Sequence, residues 1–183
     1  MRRAKWLCAA AIALAMPVGV GAKERPADLP LSAPGPYRLG PGDELKVNVF
    51  GLDAINGNYL IDDTGTVALP MLAPVKVGDR TVREAEAEIA AAIRARALVL
   101  SPTVSAQVQA YRPFFIVGEV QRPGAYPFIP GMSLTTAVSI AGGYTFRANT
   151  KTAIVTRARS NGRAGPATPI MPGDTITIRE SWF

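Results

Sequence analysis

Apolar and polar residues alternate along Leu45-Lys46-Val47-Asn48-Val49, directly after a Gly40-Pro41-Gly42-Asp43 turn. A period of two places Leu45, Val47 and Val49 on one face, the mark of a half-buried strand. Residues 58–62 read as a second strand, Asp63-Thr64-Gly65 as a tight turn and 66–70 as a returning third strand. The period then lengthens. Val82, Ala85, Ile89, Ala92 and Ile93 share one helical face, and Arg83, Glu86, Arg94 and Arg96 fall largely outside it. Thr81 and Glu84 have the spacing of a capping box, and Leu100-Ser101-Pro102 marks the far end of the helix. Alternation resumes over residues 103–110, with Val104, Ala106, Val108 and Ala110 set against Ser105, Gln107 and Gln109. Strand, strand, strand, helix, strand predicts a small α+β unit over residues 37–112.

A second unit covers residues 113–183. Residues 114–120 are almost continuously apolar and predict a central strand. Gln121-Arg122-Pro123-Gly124 turns the chain, and Ala125-Tyr126-Pro127-Phe128 pairs back. Ser133 caps a short helix whose Leu134, Ala137, Val138 and Ala141 lie on one face. Gly142-Gly143 ends it, because glycine adopts positive φ without steric cost. Residues 152–156 read as a strand, Ser160-Asn161-Gly162 as a turn, and 159–169 as a mobile stretch. Pro172-Gly173-Asp174 then leads into a last strand, Thr175-Ile176-Thr177-Ile178. Pro-Gly-Asp thus occurs twice. Shared turn chemistry accounts for that, since proline suits the first corner, glycine the second, and aspartate caps locally.

The N-terminus has the layout of an export signal. Arg2, Arg3 and Lys5 precede an apolar stretch at 6–16, too short to span a bilayer comfortably. Val20-Gly21-Ala22 offers small residues for cleavage between Ala22 and Lys23. A retained membrane anchor is the alternative, opposed by the break at Pro17 and Gly19. Residues 1–22 therefore read as a signal peptide. Residues 23–36, with Pro26, Pro30, Pro34 and Pro36, read as an extended lead-in. Cys8, the only cysteine, opens the apolar run rather than following it, so it does not sit where a lipoprotein signal needs it. The mature chain would hold no thiol, disulfide or metal–thiolate site.

Among 183 residues there is no histidine. That removes the commonest general base and metal ligand, and any Ser-His or Cys-His pair. Gly 17 and Pro 16 imply many turns and short elements. The formal charge is +6, and the leader accounts for three of those positive charges. The basic residues are scattered, and an exported chain does not meet nucleic acid, so no nucleic-acid partner is expected. A mild positive balance favours acidic glycans weakly. Asp43-Glu44 and Asp62-Asp63 are adjacent pairs whose side chains point apart, so neither supplies the facing carboxylates of a glycosidase. Glu84, Glu86 and Glu88 open a helix, where negative charge suits the dipole. Glu119 stands within the apolar strand beside Gly118 and reads as a surface residue steadying a turn, or as a glycan or subunit contact. Arg122, Tyr126, Tyr144, Phe146 and Arg147 mix guanidinium and aromatic groups near turns. They suit a sugar rim, a core, or a protomer interface. No catalytic residue, metal ligand or cofactor site is expected.

Two motifs in order carry a family resemblance. Gly118-Glu119-Val120, Pro123-Gly124 and Ala141-Gly142-Gly143-Tyr144 resemble the Gly-Glu-Val…Pro-Gly…Ala-Gly-Gly pattern of the soluble-ligand-binding β-grasp (SLBB) domain. Tyr37-Arg38-Leu39-Gly40-Pro41-Gly42-Asp43-Glu44-Leu45 resembles the signature that precedes it in the bacterial polysaccharide export family. The resemblance spans residues 37–183. It implies a polysaccharide export domain followed by one β-grasp domain, in a protein that helps carry capsule or exopolysaccharide through the periplasm to the outer membrane. It further implies a homo-oligomeric ring from the first unit and a second stacked ring from the other. The implied partners are an inner-membrane polysaccharide co-polymerase and the polysaccharide itself. Larger relatives repeat the β-grasp domain and end in an amphipathic pore helix. This sequence runs out at Glu180-Ser181-Trp182-Phe183, so a short form using a separate outer-membrane pore protein is expected. Many members are lipidated, and the placement of Cys8 departs from that pattern. A monomeric periplasmic glycan-binding module is the alternative. A polysaccharide-modifying enzyme is a third reading, weakened by the missing histidine and cysteine chemistry.

Overall fold

The computed structural model describes residues 35–181. The expected signal peptide, the expected Ala22–Lys23 cleavage and nearly all of the proline-rich lead-in fall outside the described residues. The fold is α+β, with two hydrophobic cores that share no member.

In the first unit, β1 (Glu44–Val49) is flanked by β2 (Gly57–Leu60) and β5 (Val104–Ala110), both antiparallel to it. Leu45, Val47 and Val49 are buried and Lys46 and Asn48 exposed, as the alternation requires. The expected third strand does not join this sheet. It shrinks to β3 (Thr66–Val67), which pairs only with β4 (Val75–Lys76), a strand too short to register in the sequence pattern. α1 (Val82–Ala95) packs Ala85, Ile89 and Ile93 into the core. Its capping box is complete: Glu84 N–H donates to Thr81 Oγ1 at 3.3 Å, and Thr81 N–H donates to Glu84 Oε2 at 2.7 Å.

α1 ends at Ala95, well before the expected Leu100-Ser101-Pro102 stop. The reason is a Schellman closure. Leu98 N–H reaches Ile93 O at 3.4 Å, Ala97 N–H reaches Arg94 O at 2.9 Å, and Ala97 sits at φ 53°. An alanine there leaves no glycine signal. The acidic residues of this helix have structural work of different kinds. Glu86 accepts the Ala106 N–H of β5 at 2.8 Å, and Glu88 pairs with Arg80 at 2.7 Å.

In the second unit, β6 (Phe114–Gly118), β7 (Gly124–Tyr126), β8 (Ala153–Arg157), β9 (Ser160–Ala164) and β10 (Thr175–Ile178) form one sheet in the order β7-β6-β10-β8-β9. Only β6 and β10 run parallel. α2 (Leu134–Ile140) buries Leu134, Ala137 and Val138 in the cluster that holds Phe114, Ile116, Val155, Ile176 and Ile178. Ser133 caps it, and Gly142 and Gly143 close it at φ 87° and 94°. Gly143 N–H bonds Val138 O at 2.9 Å and Gly142 N–H bonds Ser139 O at 3.0 Å, the same closure as on α1.

Three expectations change here. The apolar run from Phe114 is covered on one face only, because α2 packs on a single side. Phe115 and Val117 point outward and stay exposed. Ser160-Asn161-Gly162 is strand, not turn; the chain reverses at Ala158-Arg159, with Ala158 at φ 51°. Most of the stretch expected to be mobile is hydrogen-bonded. β9 pairs with β8, and Thr168 O and Pro166 O accept the Leu134 and Thr135 N–H groups at 2.9 and 3.1 Å. Those are donors that the first turn of α2 cannot satisfy internally.

Gly118 stands where β6 ends against β10. It has φ 90°, and a Cβ there would lie 2.0 Å from Ile178 O. Gly143 has a similar φ of 94° with nothing within 4 Å. Left-handed backbone alone costs about 1–2 kcal/mol for a residue with a side chain. Gly143→Ala should therefore lose about that much in urea unfolding, whereas Gly118→Ala should lose at least twice as much. Equal losses would show that β6 and β10 part easily.

Candidate functional site

Residues of two loops of the second unit are drawn together. One loop, Glu119 to Pro123, leaves β6; the other, Ala141 to Ala148, leaves α2. Three backbone bonds tie them: Gln121 N–H to Gly143 O at 3.0 Å, Arg122 N–H to Ala141 O at 2.9 Å, and Thr145 N–H to Glu119 O at 3.2 Å. Val120 and Tyr144 form a further bridge. Gly118-Glu119-Val120 and Ala141-Gly142-Gly143-Tyr144 are thus two halves of one local structure.

The six expected contact residues divide within it. Glu119 lies just past the end of β6 rather than inside it. It is half-buried, and its carboxylate accepts a hydrogen bond from Thr145 Oγ1. Arg122 is exposed above Gly142, and its carbonyl accepts the Tyr126 hydroxyl at 2.6 Å. Tyr126 turns its ring to the core and stacks on Phe114 at 5.9 Å. Tyr144 also packs against the core, and burial raises its phenol above the ordinary value. Phe146 is 91% exposed. Arg147 is exposed and pairs with Glu180, while its carbonyl accepts Ser181 N–H at 2.7 Å. The outward chemistry therefore rests with Arg122, Phe146 and Arg147; Tyr126 and Tyr144 face inward.

A second constellation was not expected from the sequence. The two Pro-Gly-Asp turns approach each other across the junction of the units, with Arg112 between them. Asp43 is fully buried. Its carboxylate accepts Gly40 N–H at 2.8 Å and Tyr37 Oη at 2.5 Å, as a local cap would, but also Arg112 N–H at 2.8 Å and Arg112 Nη1 at 3.3 Å. Arg112 Nε donates to Pro172 O at 3.1 Å, in the other turn. The arginine is packed against glycine on both sides: a Cβ at Gly40 would lie 2.1 Å from Arg112 Nη1, and one at Gly173 would lie 2.8 Å from Nε, so either would displace the guanidinium. Asp174 repeats the arrangement. It accepts Met171 N–H at 2.8 Å and is held by Arg157 through Nε at 2.9 Å and Nη2 at 2.8 Å. Tyr37, Tyr111 and Phe128 add edge-on ring contacts at 5.1 and 5.5 Å across the junction. Desolvation, then the hydrogen bond to Asp43, pushes the Tyr37 phenol well above its ordinary value.

Away from this junction, acidic groups serve local structure. Asp62 gathers Thr64 and Thr66 around the β-turn, and the Thr64 and Thr66 hydroxyls hold its carboxyl well below the usual range. Among the described residues, no group of three or more His, Cys, Asp or Glu is placed to hold a metal ion. No helix there is long and apolar enough to cross a membrane.

An α+β export-type unit followed by a β-grasp unit is the class these features define. Residues 31–109 match the family described as "Polysaccharide biosynthesis/export protein", and residues 113–170 match the "SLBB domain". The chain therefore carries a polysaccharide biosynthesis/export domain followed, in that order, by an SLBB domain. It is 32% identical over 118 residues to the exopolysaccharide production protein ExoF of Rhizobium meliloti (strain 1021), covering 58% of this chain and 28% of that protein. It is 32% identical over 136 residues to the EPS I polysaccharide export outer membrane protein EpsA of Ralstonia solanacearum, covering 59% of this chain and 35% of the relative. The polysialic acid transport protein KpsD of Escherichia coli is 28% identical over 109 residues, 58% of this chain and 19% of its own length. The chain thus spans about a third or less of these relatives.

Removing Asp43 leaves two backbone N–H groups and the Tyr37 hydroxyl without their acceptor, and an unsatisfied buried group costs about 1–3 kcal/mol. Asp43→Ala should lose stability on that scale in chemical denaturation, and Glu119→Ala much less. Tyr37 adds a pH dependence. Its folded pKa is raised, so its contribution is complete below about pH 10, where the unfolded phenol is neutral, and fades as pH rises beyond that. Tyr37→Phe should flatten the alkaline limb of the stability profile. An unchanged alkaline limb would contradict the buried Tyr37–Asp43 contact.

Proposed function

We propose that this protein is a periplasmic, outer-membrane-associated component of a capsule or exopolysaccharide secretion machine. In this reading copies of the chain assemble into a ring, and polysaccharide moves along it towards an outer-membrane exit. The mechanism is docking and conduction, and no bond is made or broken. The chain would work with an inner-membrane co-polymerase and a separate pore protein.

The observation that carries the reading is the direct joining of two export-family units. β5 ends at Ala110 and β6 begins at Phe114, so only three residues connect the sheets. Arg112, inside that connection, is bonded to both Pro-Gly-Asp turns. So short and pinned a link suits a building block of fixed shape better than a hinged cleft. The names of the relatives, for production, transport and export of polysaccharide, support the cargo, and that of EpsA supports the location. The exposed loop pair at Arg122, Phe146 and Arg147 is the proposed contact with glycan or a neighbouring protomer.

Two measurements test the reading. Sizing of the purified protein by light scattering should give a closed oligomer; a persistent monomer would favour a glycan-binding module instead. Deletion should stop secretion of polymer while its lipid-linked precursors are still made, and loss of the precursors too would overturn an export step. Phe146→Ser combined with Arg147→Glu should reduce assembly or export severalfold. Stability should shift by only about 0.5 kcal/mol, the usual scale for surface changes.

A further inference from the structure

The junction of the two units holds an open cleft of about 510 Å³, lined by Tyr37, Arg38, Arg112, Arg157, Ala158 and Met171 together with the Pro172-Gly173-Asp174 turn. That volume falls within the range of about 300–1,000 Å³ typical of small-molecule sites. We infer that this cleft is a binding site for a carboxylate-bearing sugar unit. The saccharide part of this inference rests on the proposed function; the carboxylate part rests on the cleft alone.

The argument begins with how the charges are turned. Arg112 and Arg157 are each held by a sealed carboxylate, Asp43 or Asp174. In both pairs the negative end is buried and the guanidinium is the partly exposed end, at 29% and 30%. A ligand in the cleft therefore meets the positive ends. Each guanidinium also has capacity left. Arg112 uses Nε and Nη1 on Pro172 O and Asp43, and Arg157 uses Nε and Nη2 on Asp174 and Pro169 O. Arg112 Nη2 and Arg157 Nη1 make no such bond among the described residues. Arg38 adds a third guanidinium, held among the described residues by Asp79 O at 2.6 Å and by a loose contact to Glu84 at 3.8 Å.

A planar guanidinium fixed by its own partner loses little freedom on meeting a second acceptor, and carboxylate matches its fork. Asp43, Asp174 and Glu84 balance the three cations formally, so the selection is by geometry and exposure and not by a large net field. The rest of the lining is apolar: the Tyr37 ring, Ala158, Met171 and the prolines 36 and 172. Surfaces of that kind accept the C–H face of a sugar ring. A uronic acid presents both halves, a carboxylate and a ring face.

Cellobiuronic acid, cellobiose and acetate are the probes, titrated into the purified chain with the methyl signals of Met171 and Ala158 followed by NMR. Cellobiuronic acid should bind at least about tenfold more tightly than either of the others, the scale of one charge-assisted hydrogen bond. Binding should weaken as salt is raised. Substituting Arg157 risks unfolding, because Asp174 would be stranded. Ala158 is exposed and already left-handed at φ 51°, a conformation that Asn and Asp tolerate. Ala158→Asp should abolish uronate binding, and Ala158→Asn should keep it. Equal affinity for cellobiose or acetate, shifts remote from Met171, or an unaffected Ala158→Asp variant would overturn the inference. Ring assembly and export without uronate binding at this cleft would remove it and leave the proposed function standing. Uronate binding here by a persistent monomer would do the reverse.

Discussion

The junction of the two units depends on Arg112, whose side chain is bonded to both of them at once. It lies in the three-residue link between the sheets, closes the first Pro-Gly-Asp turn through Asp43, and reaches the second through Pro172 O. Its aliphatic stem and guanidinium occupy the space that side chains at Gly40 and Gly173 would need. The pairing is not a gain simply because it is ionic: desolvating both charges costs several kcal/mol, which attraction repays only with full hydrogen bonding. Here Asp43 has that bonding, from two backbone N–H groups, a phenol and the guanidinium. Breaking any part is expensive, and the interaction thus fixes one geometry against its near alternatives.

The regular elements were legible in the sequence where one residue type decides the outcome locally. The alternation of β1 and β5, the Thr81–Glu84 box and the Gly142-Gly143 stop needed no knowledge of distant residues. Where the chain uses an unexpected residue for a standard task, the reading failed. Ala97 ends α1 and Ala158 turns the β8–β9 hairpin, both left-handed, and alanine advertises neither. Ser160-Asn161-Gly162 has turn composition yet lies in a strand, because its partner β8 supplies the hydrogen bonds that composition does not foresee. β4 is only two residues long, below what periodicity can reveal.

The candidate sites divide in the same way. The loop residues Glu119, Arg122, Tyr144, Phe146 and Arg147 stood out as charged and aromatic groups beside turns, and the structure ties their two loops together. Which of them face outward was not readable. Tyr126 and Tyr144 go inward because Phe114 and the α2 core offer apolar contact. The junction was missed altogether, since Arg112 and Asp43 are 69 residues apart and Arg112 and Pro172 are 60 apart. The repeated Pro-Gly-Asp was the available signal. Turn chemistry explains its local part, but says nothing of an arginine shared by both turns.

The parallel pairing of β6 with β10 has a temporal side. These strands open and close the second unit, and β10 sits between β6 and β8 in the sheet. The ladder at its middle therefore stays vacant until residue 178 has left the ribosome. The first unit, complete at Ala110, has its strands in hand much earlier. Its neighbour waits with Phe114 and Ile116 uncovered, an interval during which sticking to other chains competes with closure. Helpers that shield nascent chains would act on that interval, and Pro172, arriving just before β10, brings a contact that joins the two halves.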